Sequence, residues 1–411
     1  MADSNPGDIA VDKLTVTSSR GSLDLSKSFV SCSIYESIFT PGILADISVL
    51  DADDQVGQLK ITGDETVEFS FKVPGGSSAE FKFALHMLDD GKPTGAQKSK
   101  VYMLKCVSEE ALHSKTNFVQ QSYKKTISDM AQDIFLRYMK SSKSFEAEDT
   151  KGVQDILISH KNPYEAVDMI RRRAISADNK SSSYVFFETR EGGTSPKFKF
   201  VTIEKLFQEA SVKSFKQSDS VNSSTSNQTD NNILAYKVPK QLSSTDRIAN
   251  GGKRRTSTFD FRTHEYKSKD DTPDPSSYKS GGKGSYDSPE FKSKYNDGAK
   301  IPPQNMIPVD TSQRAVTNIA DNSKDQQAYI AQLMQNALQI RVYGDTKLTC
   351  GAVIEANITK KVSTTGEYSN DTQLTGNFLI SRIHHEIQEE GIKPRYTCCI
   401  ELLKGGLENG V

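Results

Sequence analysis

His384-His385-Glu386 is the densest run of metal-ligand and acid–base side chains in this 411-residue chain. It sits in FLISRIHHEIQ, whose pattern is that of a strand, so His384 and Glu386 share one face and His385 points to the other. A zinc site needs three or four donors converging on one point. A strand face offers two at most, and the sequence nominates no third, so the run reads as a polar strand face. Glu36 with Asp46 or Asp51 could supply the two carboxylates that flank a sugar bond in a glycosidase. Acids are also common at turns and on solvent faces, and the reading adopted for Glu36 is a subunit or strand-edge contact. Gly281-Gly282-Lys283-Gly284 lacks the strand-to-helix setting of a phosphate loop and reads as linker. Arg171-Arg172-Arg173 and Lys253-Arg254-Arg255 have acids around them and read as solvated faces or subunit contacts. No GxSxG, HExxH, Walker loop or GxGxxG after a strand is present. The expectation is a protein that is not an enzyme, with no catalytic residue, cofactor or metal.

Five cysteines, Cys32, Cys106, Cys350, Cys398 and Cys399, are an odd number without regular spacing. That argues against a disulfide framework, and they read as structural thiols. Cys398 and Cys399, adjacent in a strand, point to opposite faces and cannot clamp one metal. The net charge of −1 gives no global attraction to nucleic acid or membrane. The first residues, MADSNPGDIAVDKL, lack a basic n-region and an apolar h-region, so no secretion signal is expected. No apolar run reaches the ~20 residues of a membrane helix. A mean hydropathy of −0.56 is polar for a globular chain, which points to a part that packs poorly alone.

The elements that would position these residues are mostly strands. In SIYESIFTPGILADISVLD, Ile43, Ala45, Ile47 and Val49 fall on one side after a Pro41-Gly42 corner. Val67, Phe69, Phe71 and Val73 alternate, then Phe81, Phe83, Leu85 and Met87, which predicts a hairpin. Val101 to Val107 is another strand. After about Leu112 the period changes: Thr126 caps a helix carrying Ile127, Met130, Ala131, Ile134, Tyr138 and Met139. Asn162-Pro163 opens a second, burying Ala166, Val167, Ile170 and Ala174. Tyr184 to Thr189 and Phe198 to Ile203 form a hairpin about Gly192-Gly193. Ser211 to Asn232 reads as a solvated linker, and Asn232 to Val238 as one strand.

Residues 251–300 hold no Val, Ile, Leu or Met but seven aromatics, with 11 Lys/Arg against 8 Asp/Glu. Such a segment cannot build an aliphatic core, and reads as an extended arm that docks aromatics on another surface. A helix over 323–335 precedes LQIRVYGDTKLTCGAVIEANI, FLISRIHHEIQ and RYTCCIELL, again strands. The fold class expected is α+β, mainly β: two small β-barrels flanking an α+β insertion, with a long irregular arm. The divisions are 1–114 (first barrel), 115–210 (insertion), 211–320 (linker and arm) and 321–411 (helix and second barrel).

SIYESIFTPGILADISVLD, the Pro163-Tyr164-Glu165-Ala166 helix opening, KVPKQLSSTDRIANGG leading into TSTFDFRTHEYK, and RVYGDTKLTCGAVIEANI with FLISRIHHEIQ together resemble a known family. It is the baseplate or tail hub family of tailed phages, related to the base of type VI secretion spike proteins. The resemblance implies a structural virion protein, made in the host cytoplasm and placed in the tail baseplate. It implies a homotrimer whose barrels alternate in a pseudo-sixfold ring, meeting the hexameric tail tube, a trimeric spike and other baseplate proteins. Direct nucleic-acid recognition is not implied, and a membrane is met only indirectly, during injection. The rival class is a β-rich carbohydrate-binding or cell-surface attachment protein. It predicts exposed aromatic platforms and a signal peptide, whereas Trp is 0. A tail lysozyme or peptidase fused to a hub would need a further catalytic domain.

Overall fold

The computed structural model describes residues 6–52, 56, 61–73, 78–89, 99–178, 181–191, 195–217, 231–239, 254–271, 304–309, 330, 333–334, 337–361, 368–371, 374–390 and 393–404. The first seven strands are β1 (Ala10–Ser18), β2 (Gly21–Asp24), β3 (Phe29–Ser37), β4 (Leu44–Asp51), β5 (Thr66–Lys72), β6 (Ser78–Asp89) and β7 (Lys100–Val107). They pair antiparallel in the order β3-β4-β7-β6-β5-β1-β2. Alternation decides which face is buried: Ala45, Ile47 and Val49 point inward, as do Val67, Phe69, Phe71, Phe81, Phe83 and Leu85. Met87 departs from its expected place and is exposed. A bulge between Leu85 and Met87 shifts the register by one residue and reverses the faces beyond it. Gly42, at φ +89, makes the corner between β3 and β4 in a conformation that disfavours a Cβ.

The insertion contains α1 (Glu109–Thr116), β8 (Val119–Lys125), α2 (Ile127–Ile134) with a π turn over Phe135–Met139, β9 (Ser144–Ala147), β10 (Gln154–Lys161), α3 (Pro163–Arg171), β11 (Tyr184–Glu191), β12 (Ser195–Thr202) and α4 (Ile203–Phe207). The caps are as the sequence predicts: Thr126 accepts from the Asp129 amide, and Asn162 from the Glu165 amide. Helix α1 has no apolar period, since its buried residues are Glu110 and Ser114, and it escapes a hydrophobicity reading. A core of the insertion's own gathers Met130, Phe135, Val167, Tyr184, Phe186, Phe198 and Phe200. The intervening β11 residues, Val185 and Phe187, join a different core, the one beneath the large sheet. β11 is therefore buried on both faces.

The remaining strands are β13 (Ser211–Gln217), β14 (Asn232–Lys237), β15 (Arg254–Asp260), β16 (Glu265–Asp271), β17 (Gln304–Val309), β18 (Leu338–Tyr343), β19 (Val353–Asn357), β20 (Thr359–Lys361), β21 (Tyr368–Asn370), β22 (Gly376–Glu390) and β23 (Lys393–Leu403). Six of them close into a barrel, β13-β14-β18-β23-β22-β19 and back to β13. The 15-residue β22 does two jobs. Its start pairs with β19 to close the barrel; from Arg382 to Gln388 it pairs with β3. A bulge at Ser381 separates the two stretches. The two β units thereby become one 13-stranded sheet over a single shared core, in a fold that is α+β and mainly β. No pairing among the described residues joins β2 back to β3; the free edge of β3 is taken by β22.

Two readings need correction. Ser211–Gln217, read as linker, is β13, held by parallel backbone pairing to β14 and β19. Phe215 is its one fully buried side chain, so the sequence carries too few apolar positions to show an alternation. Within the expected arm, 254–271 is a regular hairpin of β15 and β16, with β17 parallel to β15. Backbone pairing and the Arg255–Asp270 ion pair hold it where aliphatic burial cannot. Tyr278, Tyr286, Phe291, Tyr295 and Gly281–Gly284 lie outside the described residues, as does Lys253. Of the helix expected over 323–335, Ile330, Leu333 and Met334 are described and helical.

A turn runs from Asp345 to Leu348, directly after Gly344, closed by the Leu348 amide on the Asp345 carbonyl. Gly344 is required for a steric reason: a Cβ there would lie 2.0 Å from the Tyr396 ring. Gly344→Val should destabilise the chain by about 1–3 kcal/mol or more through overpacking. A urea midpoint equal to that of the parent would refute the close approach.

Candidate functional site

The strongest convergence of polar side chains lies beneath the seam between β3 and β22. Glu36, on β3, is fully buried. Its carboxylate accepts from Arg190 Nε at 3.3 Å and Nη2 at 3.2 Å, and from the Cys350 amide at 3.0 Å. His385 Nε2 stands 3.4 Å from Glu36 Oε1, while its Nδ1 is 2.7 Å from the Tyr396 hydroxyl and 3.4 Å from Cys398 Sγ. The Arg190 guanidinium also lies 4.0 Å from the centre of the Phe81 ring, on β6. One cluster thus draws on the N-terminal sheet, the insertion and the C-terminal barrel.

β11 reaches both β units with three successive residues. Glu188 bonds the Ser108 hydroxyl and, at 3.3 Å, the Ile43 amide of the N-terminal sheet. Thr189 donates to the Cys350 carbonyl at 2.8 Å, and Arg190 binds Glu36. Behind Glu188, Lys143 Nζ lies 2.5 Å from Glu188 Oε1 and 2.7 Å from Glu110 Oε2. Two carboxylates around one ammonium leave this second cluster one negative charge in excess. Burial, together with Glu110, pushes the Glu188 carboxyl up against the pull of Lys143 and Ser108.

The first cluster has the opposite excess, two cationic groups about one carboxylate. Burial pushes the Glu36 carboxyl up, but Arg190, His385 and the Cys350 amide together outweigh it and hold it at about 2. Burial lowers His385, yet contact with Cys398 and Glu36 more than reverses that, to about 9. His385 is accordingly an imidazolium at neutral pH, and Glu36 a carboxylate. Chemically the arrangement is a closed set of ion pairs, with the side chains of Glu36, Arg190 and His385 all buried.

The sequence reading of Glu36 as a subunit or strand-edge contact is therefore corrected; it is the interior link between units. Asp46 lies on the opposite face of the sheet from Glu36, and Asp51 is buried and accepts from the Val56 amide at 3.0 Å. These acids do not converge on a common substrate position. His384 and His385 point to opposite faces as predicted, His384 stacking on Tyr35 at 4.5 Å. Among the described residues, no group of three or more His, Cys, Asp or Glu is placed to hold a metal ion. Arg171 and Arg172 share Asp168. All five cysteines are free, four of them buried. Arg190, Glu188, Thr189 and Lys143 were missed. The available signal was ETRE continuing YVFF, charges that follow directly on a strand apolar on both faces.

Above the node, on the outer face, a groove of about 620 Å³ runs along the seam, lined by Tyr35, Leu44, Tyr236, Arg341, Arg382 and His384. Leu44 is 52% exposed and Tyr236 43%.

No family model matches the chain, and no curated protein matches it. Among solved structures it is similar to the tail protein from Neisseria meningitidis MC58, with a TM-score of 0.58 and 10% identity, covering 96% of this chain and 97% of that one. It is similar also to the 43 kDa tail protein of prophage MuSo2 from Shewanella oneidensis, with a TM-score of 0.54 and 9% identity, covering 96% and 98%.

Two outcomes test the node. Arg190→Met leaves Glu36 charged and unpaired, and should cost about 3–5 kcal/mol in a denaturant titration. Adding Glu36→Gln to that variant should recover part of the loss; a purely additive double variant would show that the pair is not coupled. The pH dependence follows from the two shifts. His385 is raised, so its stabilisation is full below about 6.5 and is lost as pH rises through about 9. Glu36 is lowered, so its contribution is present above about 4.5 and is lost as pH falls through about 2. Stability should decline between neutral pH and pH 9, and His385→Gln should flatten that decline. An unchanged alkaline limb in the variant would rule out the assignment. The comparisons with solved structures give the chain the fold of these two tail proteins, over nearly its whole length.

Proposed function

We propose that this chain is a structural tail protein of a phage-type particle, a baseplate or tail hub, and that it performs no catalysis. The observation that carries the reading is coverage. The likeness to two tail proteins takes in 96% of this chain and 97% and 98% of theirs. The internal organisation supports it: two β units fused edge to edge in one sheet are a rigid body suited to bearing load between partners.

In this reading three copies form a ring in which the two β units of each alternate, so that three chains present six similar faces. One side of the ring receives the hexameric tail tube and the other the trimeric spike, with other baseplate proteins at its rim. The protein's place is the virion tail. The exposed tyrosine and leucine side chains of the seam groove, and the aromatic hairpin of β15 and β16, are surfaces that such an assembly would cover.

Native mass spectrometry tests this directly. The expected species is three times the 45.4 kDa protomer, and it should retain a co-expressed trimeric spike protein on gel filtration. A stable monomer that ignores spike and tube proteins at micromolar concentration would end the hub reading.

A further inference from the structure

The cluster behind Glu188 has more parts than an ion pair needs. Lys143 Nζ stands 2.5 Å from Glu188 Oε1 and 2.7 Å from Glu110 Oε2, and both carboxylate side chains are only 4% exposed. Lys199 is also shared by two carboxylates, but those of Glu146 and Glu209 are 38% and 41% exposed, so water screens them. At Lys143 the excess negative charge has no such relief. Phe198 covers the amine from another side, its ring centre 5.6 Å from Nζ.

The two oxygens of Glu188 have different neighbours. Oε1 faces the amine. Oε2 accepts from the Ser108 hydroxyl, and the Ile43 amide lies 3.3 Å from it and 2.7 Å from the Ser108 oxygen. Donors gathered on one carboxyl oxygen are what stabilise the oxyanion formed when a nucleophile adds to that carbon. Glu110 is held in turn: its Oε1 accepts from the Ser141 hydroxyl while its Oε2 touches the amine. A nucleophile, an acyl carbon, oxyanion donors and a proton carrier therefore stand within hydrogen-bond reach of one another.

Three ionised groups removed from water are costly, and an uncharged product would relieve two of them. We propose that Lys143 and Glu188 join in an amide bond after folding, an internal cross-link that the chain forms by itself with Glu110 as proton carrier. Burial lowers the Lys143 ammonium, but Glu188 and Glu110 more than reverse this, so a proton must pass to Glu110 before the amine attacks. The free amine adds to Glu188 Cδ, and Oε2 takes the negative charge beside Ser108 and Ile43. The Nζ–Cδ bond forms and the Cδ–Oε1 bond breaks. Of the three ammonium protons one stays on the amide nitrogen and two leave with Oε1 as water, while Glu110 ends ionised as it began. No oxidant or co-reactant is needed, and fixed contact between the reactants replaces a high concentration of each. The cross-link ties the segment before β9 to β11 within one chain, and it stands whether or not the chain is a tail hub.

Intact-mass spectrometry of the full chain, purified folded and then unfolded in acid, is the test, because an ion pair dissolves on unfolding and an amide does not. The expected mass falls short of the sequence mass by one water. Trypsin should leave Lys143 uncut, in a branched peptide that joins it to the peptide carrying Glu188. Lys143→Arg, and separately Glu110→Gln, should each restore the full sequence mass. Glu110→Gln leaves Lys143 and Glu188 as a balanced pair, so its circular dichroism spectrum should match that of the parent, which separates a lost bond from lost folding. Full sequence mass in the parent after prolonged incubation at neutral pH overturns the proposal. So does a water lost equally from Lys143→Arg, a cross-link that persists in Glu110→Gln, or a branched peptide joining Lys143 to Glu110.

Discussion

The contact on which the rest of the architecture depends is the ion pair of Glu36 with Arg190, closed on its other side by His385. A carboxylate and a guanidinium fully removed from water need each other: either alone would face a desolvation penalty of several kcal/mol. The partners come from three parts of the chain, 154 residues apart in one case and 314 in another. Sheet, insertion and barrel must be correctly placed at once for the charges to be satisfied. Apolar burial in the shared core supplies the bulk of the stability, but it is non-directional. The buried ionic set supplies a reason for one relative arrangement over others, since a shifted strand would strand a charge.

Strand β22 makes the same point through its backbone. From Phe378 to Ser381 four successive residues are buried, where the strand forms part of the barrel wall. Beyond the bulge at Ser381 the pattern alternates, with Ile383, His385 and Ile387 inward and Arg382, His384 and Glu386 outward. Ser381 anchors the bend by donating to the Glu401 carbonyl at 3.0 Å. A single extra residue re-aims the strand from closing a barrel to extending a sheet. His385 is carried to Glu36 by the second half of the same strand that completes the barrel with its first.

How much of this was legible follows from where each signal comes from. Period-two alternation marked β4, β5 and β7 because each has one wet face, and Thr126 and Asn162 announced their helices by local capping chemistry. The resemblance carried by motifs along the chain is matched by a likeness of fold along nearly its full length. Glu36 was legible as an acid but not as a buried one, because its partners lie on β11, β22 and the loop before β19. A one-dimensional reading has no access to such distances. β13 was invisible for the opposite reason: in SVKSFKQ only Phe215 is fully buried, and the strand exists through backbone pairing that any sequence could make. α1 buries Glu110 and Ser114, so its inward face is polar and hydrophobicity points the wrong way.

The polar composition that first suggested a poorly packed segment has a more specific origin. Much of the charge in the interior is functional wiring between units: Glu36, Arg190, Glu188, Lys143 and Glu110 are each largely or wholly buried. A chain that must hold three units rigid in one body can do so with apolar contacts alone only if their shapes admit a single fit. Charged and polar groups on β11 remove the degeneracy, because Glu188, Thr189 and Arg190 bond groups held at fixed places in the two β units. The same strand is buried on both faces between two cores, so it cannot slide without breaking both. Burial on both faces and three consecutive directional bonds make β11 the element that sets the geometry, and the two β units take their relative position from it.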